Sequence, residues 1–163
     1  KFVEVEAGNG FCLFIEIPAN IEDEKIVGIN DEGYYEIENR HMDVYYLDNI
    51  SGDYVLRLLD RFSDILVNDG LSHFGVLSQS VREIGKYKYN IIEAYTRDDM
   101  FPLLKVFDFF ELPETDELVT AWDYFDQDSP GESSVYEKDG KTIYDLVDLL
   151  KTVGMYKYEQ REE

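Results

Sequence analysis

The chain is poor in cysteine, histidine, basic residues and long apolar runs, and each shortage removes a class of protein. Cys12 is the single cysteine, so no internal disulfide forms. It stands in the apolar run 11–17, FCLFIEI, with no basic sequence neighbour to activate the thiol, and reads as a small buried hydrophobe. That usage suits a reducing cytoplasm. His41 and His73 are the only histidines and share no metal-ligand spacing, so each is assigned a structural or exposed role. No His-dependent triad assembles from sequence neighbours. No apolar run approaches the roughly 18 residues of a membrane-spanning helix, and the amino end shows no signal-peptide pattern. The chain starts at Lys1 without an initiator methionine, which leaves room for a leader removed earlier.

Bases are scarce where acids are plentiful. Fifteen lysines and arginines face thirty-six acids, for a formal charge of −21. Such a chain has no basic face to neutralise phosphates, so direct nucleic-acid binding is excluded as an expectation. The partners that suit it are basic proteins, cations and polycations. Disorder is excluded by the other half of the composition, because 44% hydrophobic and 15% aromatic residues supply a core in 163 residues.

Along the chain, Phe2 to Glu6 and Phe11 to Ile17 read as a hairpin around Ala7-Gly8-Asn9-Gly10. Phe11, Leu13, Ile15 and Ile17 share one face of the second strand, which Pro18 ends. Ile26 to Ile29, Tyr34 to Glu38 and Asp43 to Leu47 read as shorter strands. Ser51 caps a helix whose apolar positions Val55, Leu58, Leu59, Phe62, Ile65 and Leu66 follow the 3.6-residue period, with Asn68-Asp69-Gly70 as its stop. Phe74 to Ser80 and Lys86 to Thr96 read as a second hairpin joined around Ile84-Gly85. Its bases Arg82, Lys86 and Lys88, with Arg97 just beyond, are expected to pair with surplus acids.

Asp98 or Asp99 caps a helix that tolerates Pro102 in its first turn and sets Leu103, Leu104, Phe107 and Phe110 near one face. Pro113 breaks it. Leu118, Ala121, Trp122 and Phe125 then repeat at i, i+3, i+4, i+7, which favours a further short helix with a core-facing stripe over a strand. Ser134 to Glu137 reads as a strand turning at Asp139-Gly140. Thr142, with Asp145 three residues on, caps a last helix buried through Ile143, Leu146, Val147, Leu150 and Val153. Met155 to Glu159 reads as a closing strand. No repeat or low-complexity linker divides residues 1–163, which are expected to form one α+β domain, mostly antiparallel sheet packed with three to four helices.

The candidate site lies where bases are absent altogether. Between Lys105 and Lys138 the chain carries ten acids and no base. Asp123, Tyr124, Asp126, Asp128 and Glu132 are the expected partner-binding residues, since carboxylates around an aromatic anchor suit capture of a cationic protein surface. The same stretch resembles the calcium loop of an EF-hand, with Asp126 at position one, Asp128 at three, Gly131 at six, Ser134 at nine and Glu137 at twelve. ELVTAWDYF before it is similar to the entering helix. The resemblance implies calcium held by Asp126, Asp128, Ser134 and Glu137. Pro130 at position five, Ser133 at eight and the lack of a second hand depart from the pattern. Asp139-Gly140-Lys141-Thr142 resembles the tail of a phosphate-binding loop, but Val135 stands where that motif requires glycine, and a turn plus a helix cap accounts for these residues.

The expected function is therefore a noncatalytic acidic module that recognises and neutralises a basic protein, as immunity proteins and inhibitors do. A nucleic-acid mimic, a calcium-binding module and a carboxylate-dependent enzyme are the alternatives. No cofactor is required by the first reading.

Overall fold

Alternation along FCLFIEIP builds the strand on which the rest is laid. The computed structural model describes residues 1–31, 33–125 and 133–162; the side chains of Ala121 and Trp122 lie outside that description as well. The elements in order are α1 (Phe2–Val5), β1 (Phe11–Pro18), β2 (Ile26–Ile29), β3 (Tyr35–Ile37), β4 (His41–Ile50), α2 (Gly52–Asn68), β5 (His73–Ser78), β6 (Arg82–Lys86), β7 (Ile92–Thr96), α3 (Phe101–Phe109), α4 (Ile143–Lys151) and β8 (Tyr156–Glu162). Six strands form an antiparallel sheet in the order β7-β6-β5-β1-β4-β8, and β2 pairs with β3 in a separate ribbon. The fold is α+β, as the sequence predicts.

One face of the sheet is the core. Phe11, Leu13, Ile15 and Ile17 of β1 are buried with Tyr45 and Leu47 of β4 and Val76 of β5. The helices cover them with Val55, Leu58, Ile65 and Leu66 of α2, Leu103 and Val106 of α3, and Ile143, Leu146, Val147 and Leu150 of α4. Each such aliphatic side chain contributes about 1.5–3 kcal/mol by leaving water, which is why the helical periodicities are visible in sequence. The caps are local chemistry: Ser51 Oγ accepts the amide of Tyr54 at 3.3 Å. Thr142 and Asp145 form the reciprocal box, with the Thr142 amide donating to Asp145 Oδ2 at 2.8 Å.

Five local expectations are corrected. Residues 2–5 form a short helix rather than a strand, because Phe2 is buried edge-on against Phe11, ring centroids 6.4 Å apart. The second hairpin turns between Ser78 and Arg82 rather than at Ile84-Gly85, and the single strand expected over 86–96 is broken by a turn at Lys88–Asn90 with Tyr89 at φ 61° and Asn90 at φ 60°. In α3 the buried residues are Leu103 and Val106, while Leu104 and Phe110 face solvent. Residues 134–137 form no strand; a single bridge joins Lys138 to Lys141 across Asp139 (φ 52°) and Gly140 (φ 72°). Val153, past the end of α4, is exposed rather than buried.

Candidate functional site

The acid-rich segment begins on α3 and leaves it at Glu111, whose φ of 55° reverses the chain. Residues 112–120 are loop, and no amphipathic α-helix runs over 118–125. A 3-10 turn at Ala121–Tyr124 is the one helical element there among the described residues. Its start is held by Asp123, whose Oδ2 accepts the Thr120 amide at 2.6 Å and the Thr120 hydroxyl at 3.2 Å. Thr115 Oγ1 likewise takes the Glu117 amide at 3.2 Å. These short-range side-chain bonds compete with helix and win where no core contact rewards the helix.

The consequence is an exposed surface mixing two kinds of residue. Leu118, placed on a core stripe by its spacing, is 72% exposed, and Tyr124 is 75% exposed. Phe109, Phe110, Leu112 and Val119 are exposed as well, the two phenylalanines packed edge to face at 5.1 Å and the Lys1 ammonium 4.7 Å from the Phe109 ring centroid. Asp108, Glu111, Glu114, Asp116, Glu117 and Asp123 are exposed too, and none makes an ion pair among the described residues. Of the expected partner-binding residues, Asp123 and Tyr124 therefore sit side by side on one exposed turn. Asp126, Asp128 and Glu132, like the expected burial of Trp122, lie outside the described residues.

Beyond these, the chain is tied down. The Gly70 amide donates to the Ser134 carbonyl at 3.1 Å, the Tyr136 amide donates to Asp69 Oδ2 at 3.0 Å, and Lys138 pairs with Asp64. Asp69 is fully buried, and its Oδ1 also accepts the amides of Leu71 (3.1 Å) and Ser72 (2.8 Å). Of the expected calcium ligands, Ser134 and Glu137 are described and exposed. Among the described residues no three His, Cys, Asp or Glu side chains gather as a metal site.

A second polar constellation escaped the sequence reading. Glu16, 4% exposed in the middle of β1, receives Arg161 Nη2 of β8 at 2.5 and 2.6 Å and contacts His73 Nδ1 of β5 at 2.9 Å. Burial works against its charge, yet the His73 hydrogen bond and the Arg161 charge outweigh it and hold the carboxyl below its usual range. The Tyr87 ring lies against both His73 (5.7 Å) and Phe14 (5.9 Å), and its hydroxyl donates to Glu83. Burial, then that hydrogen bond, push the Tyr87 phenol up. Glu6 is buried in the same manner, receiving Arg82 Nη1 at 3.1 Å and the Ser80 hydroxyl. Burial opposes its charge, but the serine and arginine partners hold it low. The one available signal was Glu16 itself, a lone acid in an apolar strand, which demands a partner that only tertiary structure supplies.

Cys12 is half-buried and reduced. Burial, and then Asp48, push its thiol up, which fits the inert role expected of it. The hairpin bases pair internally where they are buried: Arg82 with Glu6, and Lys86 with the carbonyls of Asp69 and Ser72. Among the described residues, no helix is long and apolar enough to cross a membrane. Comparison of the chain with protein-family models, with curated proteins and with solved structures returned no match.

Proposed function

We propose that this protein is a noncatalytic acidic module of the cytoplasm that captures a basic protein through the surface running from α3 to Tyr124, and neutralises it as an immunity protein or inhibitor does. One observation carries the reading. The stretch without a single base is also where large apolar side chains stand in water, Phe109, Phe110, Leu112, Leu118, Val119 and Tyr124 interleaved with exposed carboxylates. Exposed apolar groups cost solubility and mark interaction surfaces, while the carboxylates select a cationic partner and speed its approach. The anchoring of Ser134 and Tyr136 at the end of α2 fixes the far side of the segment to the core.

The test is affinity capture from the source cell with the wild-type chain and two variants. One variant neutralises Asp108, Glu111 and Asp123 together as Asn, Gln and Asn; the other converts Phe110 and Tyr124 to alanine. The expected result is a basic protein held at low salt, released at high salt, lost by both variants, and inhibited when the purified wild-type chain is added back. A captured protein that is not basic, or equal retention by the acid-neutralised variant, overturns the assignment.

A further inference from the structure

Two apolar features stand uncovered at opposite ends of the sheet. The first is the β2–β3 ribbon, which leaves the body where the Ala19 amide donates to the His41 carbonyl at 2.9 Å. It is a sheet of its own, and Ile26, Val27, Ile29, Tyr34 and Tyr35 all stand in water, Ile29 63% and Tyr34 68% exposed. A two-stranded hairpin with no core beneath it is marginally stable in water, and an apolar surface of this kind marks an interaction site. Asp31 and Glu36 on the same ribbon are exposed and make no ion pair among the described residues, while Lys25 is already paired with Glu38.

The second is a groove of about 430 Å³ between α2 and the end of α4. Leu58 and Phe62 of α2 form one wall, Leu149 of α4 and Val153 just beyond it the other, and Leu149 and Val153 are exposed. Arg57 and Arg61, one helical turn apart, line the same groove with Asp60 as its one acid among the described residues. Both arginines are exposed and rest on aromatic rings, Arg57 6.0 Å from the Tyr54 centroid and Arg61 5.2 Å from that of Phe62. Neither makes an ion pair among the described residues. With thirty-six acids to fifteen lysines and arginines in the chain, two arginines left without a carboxylate are cations kept for something outside it. The groove is concave, apolar and cationic; the ribbon is protruding, apolar and acidic.

We infer that the groove receives the β2–β3 ribbon of a second copy of this chain, with Ile29 and Tyr35, which are cross-strand partners, against its apolar walls and Asp31 and Glu36 meeting Arg57 and Arg61. The two features lie apart within one chain. The ribbon springs from the Pro18 end of β1, where the Tyr144 hydroxyl at the start of α4 donates to the Pro18 carbonyl at 3.4 Å. The groove lies where α4 finishes and where β4, paired at Ile50 with Phe11, hands over to α2. Two copies set antiparallel about a twofold axis bring each ribbon to the other's groove, so the same contact is made twice. The charge of −21 on each copy opposes association, but at physiological salt repulsion fades beyond about 8 Å, while opposite charges inside the contact keep their attraction. This interface uses neither α3 nor the loop beyond it, and stands or falls without the basic partner.

The test is sedimentation equilibrium of the full chain at physiological salt over a range of concentrations. A monomer–dimer equilibrium is expected for the wild type. One double variant, Ile29→Lys with Tyr35→Lys, makes the ribbon cationic; the other, Arg57→Glu with Arg61→Glu, makes the groove acidic. All four side chains are exposed, so both variants are expected to keep the wild-type circular dichroism. Each is expected to weaken dimerisation by at least about tenfold, because like charges then face each other across the contact. An equal mixture of the two is expected to dimerise again, since one contact is then native and the other has its charges exchanged, a recovery that misfolded variants would not show. A monomer at every concentration overturns the inference. So does a dimer that both variants leave intact, or a mixture that stays monomeric.

Discussion

The ammonium of Lys86 donates to the main-chain carbonyl of Asp69 at 2.7 Å, while the Asp69 carboxylate takes three amides, those of Leu71, Ser72 and Tyr136. Both residues are buried, and burial draws the Lys86 ammonium below its usual range, with the Asp69 charge offsetting part of that. One aspartate thus ends α2, seats a buried lysine from β6 and fastens the segment that returns from the acidic surface.

Asp69→Ala removes the acceptor of three amides at once and leaves the main-chain carbonyl that seats Lys86. A loss of about 1.5–3 kcal/mol is expected, the worth of hydrogen bonds to a charged group. Urea unfolding measures it, and amide exchange at Tyr136 adds a local readout. Exchange there is expected to accelerate beyond what the global loss explains. Unchanged stability sinks the assignment of Asp69 as the anchor.

Glu16 makes stability depend on acid. Its folded-state carboxyl titrates below the ordinary value near 4.5, so in acid the unfolded chain takes up the proton first. The contribution of the Glu16–His73–Arg161 contacts is therefore whole above that value and is lost as pH falls through the lower, folded-state value. Glu16→Gln is expected to be less stable by about 2 kcal/mol at neutral pH, the worth of hydrogen bonds to a charged group. The two stability curves should converge in strong acid. A gap that stays constant from neutral to strongly acid pH contradicts the linkage.

Gly75 and Gly85 face each other across β5 and β6, and together they make room for Phe14. A Cβ on Gly75 would meet Phe14 Cζ at 2.6 Å and the Gly85 Cα at 2.8 Å. The second contact is backbone and cannot swing aside. Gly75→Ala is therefore expected to cost about 1–3 kcal/mol, the range for overpacking, against the usual gain from stiffening the unfolded chain. Gly28→Ala is the control, since its Cβ meets only the tip of the flexible Glu36 side chain. Equal effects of the two exchanges in urea melts count against the steric account.

How much was legible in the sequence depends on where the energy lies. The helices 52–68 and 143–151 could be read because caps and a buried stripe sit within a few residues of each other. Residues 2–5 alternate like a strand, but their conformation is decided by burying Phe2 on Phe11 and by Glu6 reaching Arg82, a partner seventy-six residues away. The i, i+3, i+4, i+7 spacing from Leu118 to Phe125 was real, but it yields only the 3-10 turn Ala121–Tyr124, with Leu118 in solvent. Asp123 and Tyr124 were expected on the helix that spacing implies and stand instead on an exposed 3-10 turn. The Glu16 and Glu24 contacts to the two histidines were invisible, since the pairs are fifty-seven and seventeen residues apart.

The misplaced hairpin turn contains its own test. Glycine marks turns because it adopts positive φ freely, and Gly85 drew the turn toward itself. The actual turn closes where the Val81 amide donates to the Ser78 carbonyl at 3.0 Å, and the residue required to adopt positive φ there is Val81, at 58°. A β-branched side chain pays about 1–2 kcal/mol for that conformation. Val81 is 40% exposed, so little packing is lost with its side chain. Val81→Gly removes the strain and returns about 0.4–1 kcal/mol of it as extra freedom of the unfolded chain. The net expectation is a gain of about 0.5–1 kcal/mol, read as a higher urea midpoint at unchanged slope. Val81→Asn, which tolerates the same backbone without that entropic loss, should gain as much or more. A lower midpoint for both variants would mean that Val81 is held by packing and not merely endured by the turn.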